Sequence, residues 1–249
     1  MQKPKRYSRA PIAEAIIDLR VSLPETVLPE TFQAIHSRIQ QDFPVVQPCY
    51  KGVGAVFYEP GVNFTVDSSE RQIGLWFHSE GNLQIFQATL EGFTFNRLAP
   101  YTSWSEISAT ARRLWNIYKE ICQPLSVVRA AIRYINQIHI PTKEAIELRD
   151  YLRVLPEVSP DLPQGSLQNF FMQLQIPQPD LDCMLVINEA IAPPLSQEEM
   201  TIIFDLDLFR QHVWESDDEG IWLFLNRLRQ RKNEVFEASI TDKIRELID

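Results

Sequence analysis

Residues 126–140 read SVVRAAIRYINQIHI, and the alternation in this stretch decides the fold class. Arg129, Arg133, Gln137 and His139 fall on one face at a period of two, with Val128, Ala130, Ile132, Tyr134, Ile138 and Ile140 on the other. This is the pattern of a strand with one apolar and one polar face. Residues 14–21 repeat it. There Ala15, Ile17, Leu19 and Val21 alternate with Glu14, Ile16, Asp18 and Arg20, which predicts a second half-buried strand.

Outside these two stretches the period changes. Phe32, Ile35, Ile39 and Phe43 recur at helical spacing, with Pro29 in the first turn and Pro44 at the end. Strands are predicted near 53–66, 71–79 and 83–96, the last two joined by a tight turn at Glu80, Gly81 and Asn82. Ser103 and Glu106 form a capping box that opens a helix over 103–122, with Trp104, Ile107, Ala111, Leu114, Trp115, Tyr118 and Ile121 as its apolar stripe and Pro124 closing it. The strand at 126–140 is followed by a predicted helix over 143–152. Pro156, Pro160 and Pro163 then deny the loop 153–166 regular hydrogen bonding. Strands near 168–176, 182–190 and 200–208 come next. A second capping box, Ser216 with Glu219, opens a helical segment through Leu225, Leu228, Phe236, Ile240, Ile244 and Leu247.

This order of elements predicts an α+β fold with a largely antiparallel sheet, because three consecutive strands in each half lack the crossover helices of parallel pairing. Each half reads strand, helix, three strands, helix. A single domain over 1–249 is therefore expected, with similar halves at 10–124 and 125–249; the loop 153–166 is the rival boundary.

Composition narrows the function classes. At 249 residues, 45% hydrophobic and 23% charged, the chain belongs with ordinary globular proteins. Eight Gly against 17 Pro disfavour Gly-rich phosphate loops. A net charge of -9 repels phosphate backbones overall, so nucleic acid is an unfavoured partner. Cys49, Cys122 and Cys183 are scattered, which fits a reduced cytoplasmic compartment. Glu14 and Asp18 interrupt the first apolar run, and no stretch approaches the roughly 18 uninterrupted apolar residues of a membrane span, so neither a signal peptide nor a membrane segment is expected.

Three stretches carry a resemblance: APIAEAIIDLRV at 10–21, RYINQIHIP at 133–141 and FLNRLRQRKNEVFEASITDKIRELI at 224–248. In these the chain resembles a sporadically distributed family of bacterial and cyanobacterial proteins to which no activity is attached. The resemblance implies membership over nearly the full length and a bacterial origin. It also implies a variable middle, and 145–200 offers no match.

The candidate site is the polar face of the long strands. Arg129 and Arg133, at i and i+4 of a strand, stand about 13 Å apart. Glu14 and Asp18 on the first strand, and Asp205 and Asp207 on the strand predicted near 200–208, each share a face and can meet them. Cross-strand pairing of Arg20, Arg129 and Arg133 with these carboxylates is the favoured reading. An anionic-ligand site on Arg129 and Arg133 is the sharper alternative. Asp205 and Asp207 also form an Asp-x-Asp pair able to hold a hard cation, but no third ligand accompanies them. His36, His78, His139 and His212 lie far apart and are expected at the surface or on polar faces. Cys122 ends a helix, the wrong end of the dipole for a reactive thiolate. The basic run Arg227, Arg229, Arg231 and Lys232 follows Asp217, Asp218 and Glu219, an order the helix dipole favours by itself. The aromatic pairs Phe170 with Phe171, Phe93 with Phe95 and Trp76 with Phe77 are read as core.

No catalytic constellation and no cofactor fingerprint is legible, so neither is assigned. The leading expectation is a non-enzymatic cytoplasmic protein that binds a macromolecular partner, a protein above all, for instance as an accessory component of a mobile bacterial module. A metal-assisted hydrolase using Asp205 and Asp207 is one alternative. Nucleic-acid binding by a duplicated sheet, an analogy at the level of fold only, is the other.

Overall fold

The strand predicted at 126–140 and the one at 14–21 lie side by side at the centre of a single sheet. The computed structural model describes residues 7–57, 65–142, 146–159, 161–163, 167–193 and 198–249. Among these residues the strands are β1 (Ile12–Ser22), β2 (Val45–Phe57), β3 (Thr65–His78), β4 (Gln84–Thr89), β5 (Gly92–Leu98), β6 (Ser126–Pro141), β7 (Phe171–Gln178), β8 (Cys183–Ile191) and β9 (Glu199–Trp214). The helices are α1 (Gln33–Ile39), α2 (Trp104–Cys122), α3 (Gly220–Ser239) and α4 (Asp242–Ile248). All nine strands form one antiparallel sheet in the order β2-β3-β4-β5-β1-β6-β9-β8-β7, so the fold is α+β.

Register assigns the two faces. Leu19 stands opposite Phe93 and Ala130, and Ala130 opposite Arg210. This row faces the helices: Trp115 of α2 meets Phe93 edge-on at 5.7 Å, and Phe224 of α3 lies 5.9 Å from Trp214. His36 of α1 stacks on Phe77 at 6.0 Å, on the same face. One step along, Asp18 stands opposite Thr94 and Ala131, and Ala131 opposite Phe209. That row points to the other face.

The apolar stripe of α2 supplies the centre of the core. Ser103 caps it, its Oγ accepting from the Glu106 amide at 3.2 Å. Trp115 and Tyr118 are fully buried and stacked at 5.6 Å, and the Tyr118 hydroxyl donates to the Thr89 carbonyl at 3.0 Å. Ile17, Leu19, Phe86 and Phe95 close the packing from the sheet.

Several sequence expectations need correction. The run 83–96 is two strands, because the chain reverses at Leu90 and Glu91 and β5 starts at Gly92. Gly92 has φ 152°, and a Cβ there would lie 2.2 Å from the Leu19 carbonyl oxygen, so β1 approaches where a side chain would stand. The predicted strand 53–66 spans the end of β2 and the start of β3; residues 58–64 between them lie outside the described residues. The helix predicted over 143–152 is a short 3-10 turn at Leu148–Asp150, with 143–145 outside the described residues. Tertiary pairing overrides the helical spacing here: Leu152 forms an isolated bridge with Ile240, and the backbone of Tyr151 and Arg153 bonds to that of Thr241 and Ser239. The halves therefore differ. The first reads strand, helix, four strands, helix, whereas among the described residues the second has only the 3-10 turn between its first strand and the next. They do share one trait, since β1 pairs with β5 and β6 with β9, the first strand of each half beside its last.

Two further corrections concern side chains. A bulge between Val127 and Arg129 turns Val127 into the core and leaves Val128 37% exposed, so alternation fails at the start of β6. Helix α3 is not capped by Ser216; the Asp218 carboxylate accepts from the Gly220 amide at 2.6 Å. Beyond it, Phe236, Ile240, Ile244 and Ile248 are buried, so the C-terminal apolar edge belongs to the core. None of the described helices is long and apolar enough to cross a membrane.

Candidate functional site

Period-two spacing puts Glu14, Asp18 and Arg20 of β1 on the sheet face away from the helices, and the same parity holds for Arg129 and Arg133 of β6 and for Asp205 and Asp207 of β9. Because β1, β6 and β9 are neighbours, these side chains meet across the strands. Arg129 Nη1 donates to Asp18 at 2.8 Å and its Nη2 to Asp207 at 3.2 Å. Its guanidinium also lies 4.4 Å from the centroid of the Phe209 ring. Arg133 grips Asp205 with two bonds, Nε at 2.9 Å and Nη2 at 2.7 Å, a bidentate fork. Arg20 Nε reaches Asp18 at 3.3 Å and its Nη1 reaches Glu91 at 3.1 Å. Lys51 pairs with the same Glu91.

Neutral polar groups extend the network on both sides. The Asn188 amide donates to Asp205 at 2.9 Å, and Gln173 donates to Asn188 at 2.8 Å. On the other side the Thr94 hydroxyl donates to Asp18 at 2.8 Å, Asn96 to Glu14 at 2.6 Å and Gln87 to Asn96 at 3.1 Å. Glu14 thus pairs with an amide, not with an arginine. Asn188, Thr94 and Asn96 carry no charge, so charge matching in the sequence could not flag them. Glu91 and Lys51 were invisible for another reason: the first sits in the unforeseen turn after β4, and the second lies before the strand predicted at 53–66.

The charges act on one another. Burial pushes the Asp207 carboxyl up, opposed by Arg129 and Arg133 and assisted by Asp205 and Asp18. The hydrogen bonds from Arg133 to Asp205 push that guanidinium higher still. Arg133 remains 45% exposed as a side chain, and its Nη1 has no partner among the described residues. Across the face Glu14, Asp18, Glu91, Asp205 and Asp207 meet Arg20, Lys51, Arg129 and Arg133, which leaves it close to neutral.

For the cation reading of Asp205 and Asp207, the oxygens are the difficulty. Asp205 accepts from Arg133 and Asn188, and Asp207 from Arg129. Among the described residues no group of three His, Cys, Asp or Glu gathers as a ligand set. The basic run of α3 also reads differently in place. The helix continues to Ser239, so the run is mid-helix and the dipole does not explain it. Arg231 instead pairs with Asp180 at 2.5 Å, and Lys232 is buried with its Nζ 4.0 Å from the Tyr134 ring centroid. The Cys122 thiol is buried and pushed up to about 12, and burial also raises Cys49 and Cys183. Of the aromatic pairs read as core, Phe93, Phe95 and Phe77 are buried, but Trp76 is 36% and Phe171 72% exposed. Trp76 lies in the outward row of β3, and Phe171 begins β7, an edge strand where nothing is stacked beyond it in the sheet order. No protein family, curated protein or solved structure matches this chain.

Proposed function

We propose that this protein works by binding a protein partner through the polar face of its sheet, in the cytoplasm, without turning over a substrate. The observation that carries the reading is the use made of the two surfaces. The apolar edge of the C-terminal segment is buried in the core. The sheet face opposite α1, α2 and α3 displays Arg133, Gln137 and Gln211, around a lattice of paired charges. A near-neutral face with scattered donors suits a polar protein surface, whereas a phosphate backbone calls for net positive charge. A hydrolase built on Asp205 and Asp207 would need the carboxylate oxygens for a metal, yet Arg133 holds both oxygens of Asp205 and Arg129 one of Asp207, which leaves Asp207 Oδ1 alone without a partner among the described residues.

The test uses tagged full-length protein recovered from its host. Gln137→Glu combined with Gln211→Glu adds two charges to this face and leaves every ion pair in place; Ser105→Glu, on the exposed side of α2, is the control. The expected result is a partner retained by the wild type and the control and lost from the double variant. Retention by all three, or a thermal shift of the purified protein with divalent metal, would count against the reading.

A further inference from the structure

Strand β7 is one edge of the sheet, and its sequence, FMQLQIPQ, holds no charged residue although 23% of the chain is charged. Soluble proteins protect such edges with lysines, inward charges, bulges or a covering segment, because an edge offers a row of unpaired backbone groups to any other strand. Here the ladder to β8 runs without a register shift from Phe171 opposite Ala190 to Gln178 opposite Cys183. Among the described residues Pro177 is the one protective feature, and it stands next to the end of the strand, where a missing N–H removes at most one bond per copy from a ladder. Phe171 is 72% and Ile176 39% exposed.

We propose that β7 pairs antiparallel with β7 of a second copy of this chain, joining two sheets edge to edge about a two-fold axis at Leu174. The argument for a second copy is that the strand complements itself residue by residue. With Leu174 opposite its own counterpart, Met172 faces Ile176, Gln173 faces Gln175 and Phe171 faces Pro177. Directly opposed residues share a face, so both faces match. Met172, Leu174 and Ile176 of each copy form one apolar row on the helix side, where Leu174 already opposes Ile187, Ile176 opposes Leu185 and Met172 opposes the buried Glu189. On the other side the polar chain from Arg133 through Asp205 and Asn188 to Gln173 runs on to Gln175 of the second copy. An isologous contact of this kind closes at two copies and leaves β7 of neither exposed. A charged partner strand would find no counter-charge here. This inference is independent of which protein meets the polar face, since it concerns only the edge.

Sedimentation and light scattering over about 1–200 µM are the readout, because an eight-residue strand pair lies at the small end of specific interfaces and is expected to dissociate in the micromolar range. The wild type is expected to go from monomer to dimer across that range. In Gln173→Lys with Gln175→Lys, lysine meets lysine twice at the two-fold, and the dimer should be lost at 200 µM, with circular dichroism unchanged. In Gln173→Lys with Gln175→Glu, the same pairings become attractive and the dimer should return. A wild type that stays monomeric at 200 µM overturns the proposal. So does a double-lysine variant that still dimerises, or a lysine–glutamate variant that behaves like the double lysine.

Discussion

At the scale of single residues, Glu189 and Lys232 depart far from ordinary solution behaviour. Glu189 of β8 points to the helix side, opposite Phe204 and Met172, fully buried and with neither carboxyl oxygen hydrogen-bonded. Burial pushes its pKa up to about 8 from 4.5. Lys232 of α3, over the Tyr134 ring, is pushed down to about 7 from 10.5 by burial and by Arg229. The folded state therefore holds a proton on Glu189 that the unfolded chain releases, and stability falls as pH rises from about 4.5 to about 8. For Lys232 the folded state lacks a proton that the unfolded chain binds, so stability falls as pH drops from about 10.5 to about 7. The two slopes cancel between about 7 and 8, where the combined penalty is largest. Urea midpoints at pH 5, 7.5 and 10 should show Glu189→Gln losing the fall between the first two values and Lys232→Met losing the rise between the last two. Curves parallel to the wild type would disprove the assignment. Arg129 makes the opposite case, a charge that is needed. Arg129→Met strands Asp207 on a half-buried face and takes one donor from Asp18, which keeps Arg20 and Thr94, and denaturant unfolding should register a loss of about 2 to 4 kcal/mol, less than a fully buried pair because the side chain keeps some solvent.

At the scale of elements, α2 holds the sheet's covered face together. Trp115 touches Phe93 and Tyr118 and is 1% exposed, so Trp115→Ala should cost about 3 to 5 kcal/mol by denaturant titration; an unchanged midpoint would mean the stripe does not pack as described. Elements with strong, long periodicity, such as α2, β1 and most of β6, were legible because one face of each meets a continuous apolar layer. The run 83–96 was not. Glu91 and Gly92 interrupt it with one turn signal inside an otherwise apolar sequence, and only the approach of β1 over Gly92 explains the reversal there. The segment at 146–152 has helical spacing and no helix, since Leu152 is drawn into an extended bridge with Ile240, a residue 88 positions away.

At the scale of the whole molecule, the C-terminus is fastened from several sides. Phe236, Ile240, Ile244 and Ile248 are buried, Tyr7 donates to Glu237 at 2.6 Å, and the Arg9 amide donates to the Ile248 carbonyl at 2.9 Å. Removing residues 233–249 should therefore unfold or aggregate the protein, although chain ends are often dispensable. Circular dichroism and gel filtration of the truncated chain are the check, and a soluble, folded product of wild-type stability would contradict the packing. The two binding proposals rest on other surfaces, the polar sheet face and the β7 edge.

Alternation alone determined which side chains of 14–21 and 126–140 share a face, because a strand's side-chain period of two depends on local geometry and needs no neighbour. The membership of Arg20, Arg129, Arg133, Asp205 and Asp207 in one polar layer was legible for that reason. Tertiary structure decided who pairs with whom. Strand order set β1 and β9 on either side of β6, so Arg129 bridges Asp18 and Asp207 while Arg133 takes Asp205, and Glu14 is left to Asn96. Strand order also made β7 an edge and buried Glu189 with no hydrogen-bond partner among the described residues. These are properties of contacts between residues tens to hundreds of positions apart, which the conformational preference of a short segment does not carry.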